Sequence, residues 1–532
     1  MKLPHRSSQD MRSRSTLARI PGPAAETFLL GNLREIFQSQ AGEKDFQWIQ
    51  EYGDVVRVKG VCGEDRLLIS DPKALQYIFQ TSGYNYEKWP ERTEISRILM
   101  GRGLLWADGN GLVHKRQRKV MLPGFGAPEC KSFIPIFFRT ASQLTVKWSD
   151  ILTRESDTSA TINVATWLSR ATMDSLGEAA FDYQFGALAQ KDNDLMKAYF
   201  GLMNDTLGSP PSRGIFLQTT LPLWALQLRA KYSKSRMMSH TRHTADLASQ
   251  LAERLVRMKG DELLQRKGQR DVLSLLVKAN ASENAATQLT HEEMVAQMRT
   301  LLLAGHETSA TSLCWILLEV ARHPDVQQRM RKEIRAAEAS MIARGDSEFA
   351  AKDLDGMVYT IAVMKEAMRL HPALYHNYRR PVSDDVLPLS TPIRTTDGKL
   401  IQELPIPKGT KIFASIAGYN RNKGIWGQDA DEFNPNRWLV DRNTKREGPS
   451  VGVYGNLLTF SGGVRSCIGW RFAVYEVQAL LTEIVNQFEL APTPELEKLR
   501  REACLVMIPT LEGEQLDGEN LPLKVSLAPR DV

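Results

Sequence analysis

The chain has 532 residues, 42% of them hydrophobic and 24% charged, which is ordinary for a folded globular protein with a large buried core. Lys and Arg outnumber Asp and Glu by only 68 to 62, a balance that gives no reason to expect a nucleic-acid partner. The five cysteines, Cys62, Cys130, Cys314, Cys467 and Cys504, are scattered and form no C-x-x-C pair. That argues against a disulfide framework or a zinc cluster and fits a reducing compartment.

In chain order, Arg6–Arg19 is rich in Arg and Ser, with Asp10 as its single acid. Residues 1–19 read as a disordered basic leader or a truncated anchor region rather than a transit segment. Residues 20–532 are expected to form a single domain, entered through the stiff break Pro21-Gly22-Pro23. Val55–Lys59 and Arg66–Ser70 flank Gly60 and Gly63 and predict a hairpin. Asp71-Pro72 supplies an N-cap and a first-turn proline for a helix through Phe79. The run from His114 to Lys119 is basic and on its own need be no more than a solvated helix face.

Helices dominate from Ser142 to His371. Within that region Gly214–Leu226 is apolar, is expected as a loop, and is followed by Arg229, Lys231, Lys234 and Arg236. Tryptophan beside a basic flank suits a shallow contact with anionic lipid; a lid over a substrate cavity is the equal alternative. No run of about 18 uncharged apolar residues is present, so no ordinary transmembrane helix is expected.

The strongest helix signal runs from His291 to Arg322. Thr290 and Glu293 form a capping box at its start and His323-Pro324 stops it. It would be about 45 Å long, and its apolar all-round centre belongs in the middle of a protein. That centre is interrupted by Ala304-Gly305-His306-Glu307-Thr308-Ser309. Glycine inside a helix costs about 1 kcal/mol relative to alanine, so a reason is expected. Ala304-Gly305 would let a planar cofactor and O₂ lie against the backbone. Thr308 can compete for a helix carbonyl and donate to bound oxygen. Glu307 can feed protons. On its own, the segment reads first as a polar patch facing another helix.

Further on, Glu366 and Arg369 share a helix face ahead of Leu370-His371-Pro372. Short strands are expected between Pro381 and Phe413, and a loop-rich stretch from Gly418 to Thr459. Phe460-Ser461-Gly462-Gly463-Val464-Arg465-Ser466-Cys467-Ile468-Gly469 then leads into a last amphipathic helix ending near Phe488. Paired glycines allow a tight backbone and close approach to a flat ligand. A cysteine at a helix start is favoured as a thiolate. Arg465 offers a cation suited to a propionate. A lone cysteine is otherwise a buried structural thiol.

The last segment matches F-x-x-G-x-R-x-C-x-G at every fixed position and resembles the haem-binding loop of the cytochrome P-450 superfamily. Ala304–Ser309 is similar to that superfamily's [AG]-G-x-[DE]-T-[TS] motif. Glu366–Arg369 is similar to its E-x-x-R motif, with Arg437 in Phe433–Trp438 as the arginine that joins the pair; Asn436 stands where Glu is commoner. His114–Arg118 resembles the W-x-x-x-R propionate helix, with His114 in place of the tryptophan. The resemblance extends from about Ile20 to near the C-terminus and is closest to fungal microsomal members.

That resemblance implies the cytochrome P-450 fold, mainly α with a minor β region, a long central helix across the haem, and a Cys-ligand loop before the last long helix. It implies haem b (iron protoporphyrin IX) with Cys467 as the axial metal ligand and cofactor contacts from His114, Arg118, Arg379, Phe460, Gly463 and Arg465; whether Arg379 or Arg380 faces the propionate stays open by one residue. Thr308 and Glu307 would form the catalytic pair, and His306 is assigned no chemistry. The implied reaction is monooxygenation of a lipophilic substrate, such as a terpenoid or other secondary metabolite. The pocket would draw on Tyr84–Leu105, Phe200–Arg229 and Ala373–Tyr378. No G-x-G-x-x-G unit stands out, so a separate NADPH-dependent cytochrome reductase would supply electrons, docking near Arg465 and Arg471. An intact Glu307-Thr308 argues against an O₂-independent isomerase or dehydratase and against a non-catalytic haem binder. The resemblance places the protein at the cytosolic side of the endoplasmic reticulum membrane. The usual N-terminal helix is not seen ahead of Pro21, so a late start or a peripheral protein is expected.

Overall fold

The computed structural model describes residues 16–529, except 109–110, 155–157, 191–193, 196, 200–209, 265–270, 282–287, 440–447 and 505. Most of the expected leader, residues 1–15, therefore lies outside the described residues. Its last residues are packed on the body: Leu17 is buried and Arg19 reaches Asp397 at 3.0 Å.

The first hairpin pairs β1 (Val55–Lys59) with β2 (Asp65–Ile69), and Asp71 then accepts from the Ala74 N–H to cap the following helix. Strand β3 (Tyr86–Glu87) follows, and then helix α1 (Leu112–Met121). Strand β4 (Ser159–Asn163) leads into helix α2 (Val164–Phe181). The apolar stretch expected as a loop is instead two helices, α3 (Ser212–Thr220) and α4 (Leu223–Tyr232). Each begins directly after a proline, Pro211 or Pro222, whose φ near −62° is preset to launch a helix.

Helix α5 (His291–Arg322) spans the molecule. Its capping box is formed: Thr290 Oγ1 accepts from the Glu293 N–H at 3.1 Å, and Glu293 Oε2 accepts from the Thr290 N–H at 3.0 Å. By length and composition it is the one described helix able to cross a membrane, but 83% of its apolar window is buried inside the protein. A helix apolar all round is stable in water only as a core element.

After helix α6 (Val358–Leu370) come β5 (His376–Pro381), β6 (Asp385–Arg394), β7 (Leu400–Ile406) and β8 (Ile412–Ser415). The main sheet has the order β1-β2-β8-β5-β3, with β2 and β8 parallel and the other pairs antiparallel. The stretch expected to be loop-rich holds several short helices and strands β9 (Gly452–Tyr454) and β10 (Leu457–Gly462). Helix α7 (Trp470–Gln487) follows, then β11 (Phe488–Pro492), β12 (Leu499–Ala503), β13 (Met507–Leu511) and β14 (Pro522–Leu527). β14 lies between β11 and β4, tying the C-terminus to the start of α2. One apolar cluster joins α2, α5, α6 and α7, with Leu176, Leu313, Val363 and Leu480 among its members. The fold is mainly helical with a minor sheet part, as expected.

Candidate active site

Strand β10 delivers the cysteine loop. A turn at Gly463–Arg465 reverses the chain, and the Cys467 N–H donates to Phe460 O at 2.9 Å, closing the loop on itself. Gly463 has φ +63°, and a Cβ there would stand 1.8 Å from Phe79 O; one on Gly462 would stand 2.4 Å from Val451 O. The glycines therefore admit neighbouring backbone, the tight path expected of the pair. Cys467 lies three residues ahead of α7, deep in the protein, with its side chain open to the interior space beside the loop. Burial pushes that thiol up; the Gly469 N–H and the Arg118 guanidinium pull it the other way.

Beside the loop a group of cations gathers. Arg118 on α1 donates from Nη1 to Ser466 O at 2.7 Å and from Nη2 to Ser466 Oγ at 3.2 Å, so it also braces the loop. His114, one turn earlier, is buried with Nδ1 2.9 Å from the Tyr84 hydroxyl. Burial, with Lys88, Arg465, Arg118 and Arg379 around it, pushes His114 down to about 3. Burial first, then Arg379 and Arg465, brings Lys88 down to about 7, against the pull of Asp108. Arg379 is pushed down to about 10 by burial and by Arg465. Arg380, one residue on, turns to Glu87 at 2.5 Å. Four basic side chains thus share one region where, among the described residues, Asp108 is the carboxylate that pairs with them, 2.5 Å from Arg465 Nη2. Like charges drawn together in a dry place favour an anion. Phe460 is half-buried against the Tyr454 ring.

Arg465 is itself 5% exposed and bound to Asp108 and to Gly83 O. It is not a surface cation, so of the two arginines expected at a docking face Arg471, stacked on Trp470 at 4.2 Å, is the remaining candidate.

Helix α5 presents the second motif. Ala304, Gly305 and Thr308 are half-buried while Leu301–Leu303 are buried. Thr308 Oγ1 donates to Ala304 O at 2.7 Å, the competition for a helix carbonyl expected of it. Gly305 has a packing reason: a Cβ there would meet Leu176 Cδ1 at 2.7 Å, so the glycine lets α2 pack against α5. Glu307 is buried; its Oε1 lies 2.8 Å from His306 Nε2 and accepts from Ser169 Oγ at 3.4 Å. Burial alone would raise the Glu307 carboxyl, but His306 and the hydrogen bonds outweigh it and hold it below the usual range. His306, assigned no chemistry from sequence, is the direct partner of the motif's acid. Its variable position gave no signal.

The support beneath the loop is fully formed. Glu366 accepts from Arg369 Nε at 2.9 Å and Nη2 at 2.8 Å, from Arg437 Nε at 3.1 Å and from Trp438 Nε1 at 2.9 Å, and both members of the E-x-x-R pair are 0% exposed. Asn420 Oδ1 accepts from the Leu458 N–H at 3.0 Å, and Thr459 Oγ1 donates to Met368 O at 2.7 Å. These contacts fix β10, and through it the cysteine loop, to α6.

A cavity of about 710 Å³ is lined by Trp89, Ile95, Leu99, Ile215 and Leu226, with Tyr375 and Cys504 at one side. All three expected substrate regions contribute, although residues 200–209 lie outside the described residues. Arg500, Glu502, Ala503 and Cys504 join them, residues that no motif marked. One part of the α3–α4 pair lines this cavity, while Trp224, Leu228 and Tyr232 are exposed. The lid and the surface-contact readings thus fall on different residues of the same segment.

A mainly helical fold, an open thiol and a cation pocket thus stand together, and the sequence matches the cytochrome P450 family model over residues 21–514. The chain belongs to the cytochrome P450 family. It is 31% identical over 529 residues to cytochrome P450 monooxygenase claU of Ampulloclitocybe clavipes, covering 97% of this chain and 94% of that one. It is 33% identical over 496 residues to cytochrome P450 monooxygenase 91 of Postia placenta, covering 90% and 88%, and 31% identical to cytochrome P450 monooxygenase 205 of the same fungus, covering 96% and 93%. The chain is a P450 monooxygenase, an oxidoreductase of a family that uses haem, O₂, a redox partner and a hydrophobic substrate.

Proposed function

We propose that the protein holds haem b with Cys467 Sγ as its axial ligand and inserts one oxygen atom of O₂ into a lipophilic substrate. The observation that carries this is the cation pocket beside the open Cys467 thiol: Lys88, Arg118, Arg379 and Arg465 with Asp108 as their counter-ion. A group bearing two carboxylates supplies the missing charge. Haem, when bound, supplies the two-electron activation of O₂.

The protein's own residues do the rest. Arg379 and Arg118 hold propionates, with Lys88 and Arg465 completing the field and neutral His114 supporting Tyr84. The Gly469 N–H steadies the sulfur and tunes its donor strength. Thr308 Oγ1, seated over Ala304 O, hands a proton into the oxygen-binding space, and Glu307 replenishes it through water. Electrons come from a separate NADPH-dependent reductase docking near Arg471. The apolar wall of Ile95, Leu99, Ile215 and Leu226 suits a lipophilic guest of terpenoid size. Trp224 is 65% exposed, with Leu228 and Tyr232 open beside it and Arg229 and Lys231 on the same helix. Those side chains support a shallow contact with anionic lipid at the cytosolic side of the endoplasmic reticulum.

The test is Thr308→Ala in the haem-loaded chain, supplied with reductase, NADPH and a terpenoid or other lipophilic compound that shifts the wild-type spectrum. NADPH oxidation should continue while product falls and hydrogen peroxide rises. Unchanged product and peroxide would overturn the assignment.

A further inference from the structure

Charged side chains line the 710 Å³ cavity, and most of them are already paired. Glu91 accepts from Lys411 Nζ at 2.5 Å. Glu94 accepts from Arg97 Nε at 2.9 Å and from Gln227 Nε2 at 3.3 Å. Arg66 donates from Nε to Glu64 at 2.9 Å, and Arg500 stands 3.8 Å from both Glu502 and Glu512. Two cations remain. Neither Arg92 nor Arg229 has a carboxylate or carbonyl acceptor for its guanidinium among the described residues.

Arg92 is held in place without being neutralised. Its guanidinium carbon lies 4.1 Å from the centre of the Tyr378 ring on β5 and 5.3 Å from that of Phe37. The two rings steady the fork but accept none of its in-plane N–H bonds. A guanidinium does not shed its proton, so the half-buried charge persists. Helix stability does not explain the residue either. Arg92 falls in the first turn of the helix Pro90–Met100, where the dipole favours anions and disfavours a cation. A steadied cation with unspent donors, facing a cavity, is a receptor for an anion. Ile95 and Leu99 follow Arg92 on the same helix face and line the same cavity, about 10 Å of wall in all. Leu99 O accepts from Arg299 Nη2 at 2.6 Å, so this wall ends against α5, the helix that carries Thr308.

We propose that the substrate is a lipophilic carboxylic acid bound as its anion, with the carboxylate on the Arg92 guanidinium and the apolar remainder along Ile95 and Leu99 toward α5. The inference rests on reading this cavity as the substrate's in a monooxygenase, and it names the class of compound the cavity takes. A carboxylate matches the guanidinium fork with two parallel N–H···O bonds. Arg229, on the α4 side of the same cavity, adds to the field that draws an anion in. Glu91 and Glu94, beside Arg92 on its helix and in the same wall, limit the charge that is accepted. They repel a doubly charged phosphate more than a singly charged carboxylate.

The experiment uses the haem-loaded full chain as wild type, Arg92→Gln and Arg92→Lys. Equilibrium dialysis at neutral pH, below micelle-forming concentrations, measures binding of dodecanoic, tetradecanoic and abietic acids, each against its methyl ester, and of dodecyl phosphate. At least one acid should bind wild type about 10-fold or more tightly than its ester. Arg92→Gln should erase that preference without weakening the ester. Arg92→Lys, which keeps the charge but not the fork, should restore part of it. The preferred acid should also shift the ferric Soret band and, with reductase and NADPH, gain one oxygen atom. Acids that bind no better than their esters would overturn the proposal, as would dodecyl phosphate held more tightly than every acid. Equal loss of acid and ester in Arg92→Gln would also overturn it, because Arg92 would then support the wall and not the ligand. If Arg92→Gln does not retain haem, Arg92→Lys decides: a weakened acid beside an unchanged ester supports the proposal, and an unchanged preference overturns it. Oxidation of the neutral esters but of no acid would sink the substrate class and leave the monooxygenase reading standing. If no compound is oxidised and Thr308→Ala releases peroxide as wild type does, it is the proposed function that fails.

Discussion

Glu366→Gln tests the support beneath the cysteine loop. The substitution keeps shape and volume, and removes the charge that Arg369, Arg437, Trp438 and the Asn434 N–H all address. Arg437 retains Asp429 at 2.8 Å, but Arg369, 0% exposed, is left with main-chain carbonyls of Asn420, Ala430 and Glu432 as its acceptors. Stripping one partner from a buried ion pair costs about 3–5 kcal/mol, a large part of the roughly 5–15 kcal/mol that holds a domain folded. For a chain of this length that is a fall of about 3–4 °C in melting temperature. Burial alone would raise the Glu366 carboxyl; Arg369, the Asn434 N–H and Arg437 together hold it below the usual range. A depressed folded-state pKa means stability that is present above the unfolded carboxylate range and lost as pH falls through the folded value. Wild type should therefore lose this contribution in acid, and Glu366→Gln should show a flatter acid limb. Thermal denaturation followed by circular dichroism, with the haem-loaded fraction recorded at each pH, measures both. Glu489→Gln, which touches the partly exposed Arg331 pair, should cost less. If Glu366→Gln melts with the wild type and keeps its acid limb, the reasoning about the buried triad is wrong.

Gly305→Ala should destabilise by about 1–3 kcal/mol through its clash with Leu176, and Leu176→Ala in the same chain should cost less than the two changes added separately, read as a non-additive melting shift. Gly463→Ala has no such relief, because its clash is with the main chain at Phe79, and it should fail to load haem as judged by the haem-to-protein absorbance ratio. Arg379→Gln should speed haem transfer to an excess acceptor protein by about 10-fold or more, as expected for loss of a charge-assisted hydrogen bond, while Arg380→Gln, whose partner is Glu87, should not. Lys88 has a folded pKa lowered to about 7 by burial and its cationic neighbours. Above that value the folded apoprotein binds fewer protons there than the unfolded chain, so its stability should rise with pH until the unfolded lysine also titrates. Lys88→Met should flatten that rise in apoprotein melts and weaken haem retention.

Much of this was legible in the sequence where the signal was local. The capping box at Thr290–Glu293, the hairpin at Val55–Ile69 and the spacing of Glu366 and Arg369 each follow from contacts within a few residues. The glycines were legible as positions needing room, but not the neighbours they admit, because Leu176 and Phe79 come from distant parts of the chain. Arg379 and Arg380 lie on opposite faces of β5, and only pairing with β8 and β3 fixes which face meets the pocket. Lys88 carried no motif; it matters through charges that the fold brings to it. Pro211, just before the stretch expected as a loop, and Pro222 within it are the local helix-start signals there.

The most direct measurement is the absorption spectrum of the reduced protein under carbon monoxide, for wild type and Cys467→Ser. A thiolate-bound haem should give a strongly red-shifted Soret band that disappears in the variant. A histidine-type spectrum in the wild type, or a red-shifted band that survives Cys467→Ser, would contradict the assignment of Cys467 as the iron ligand.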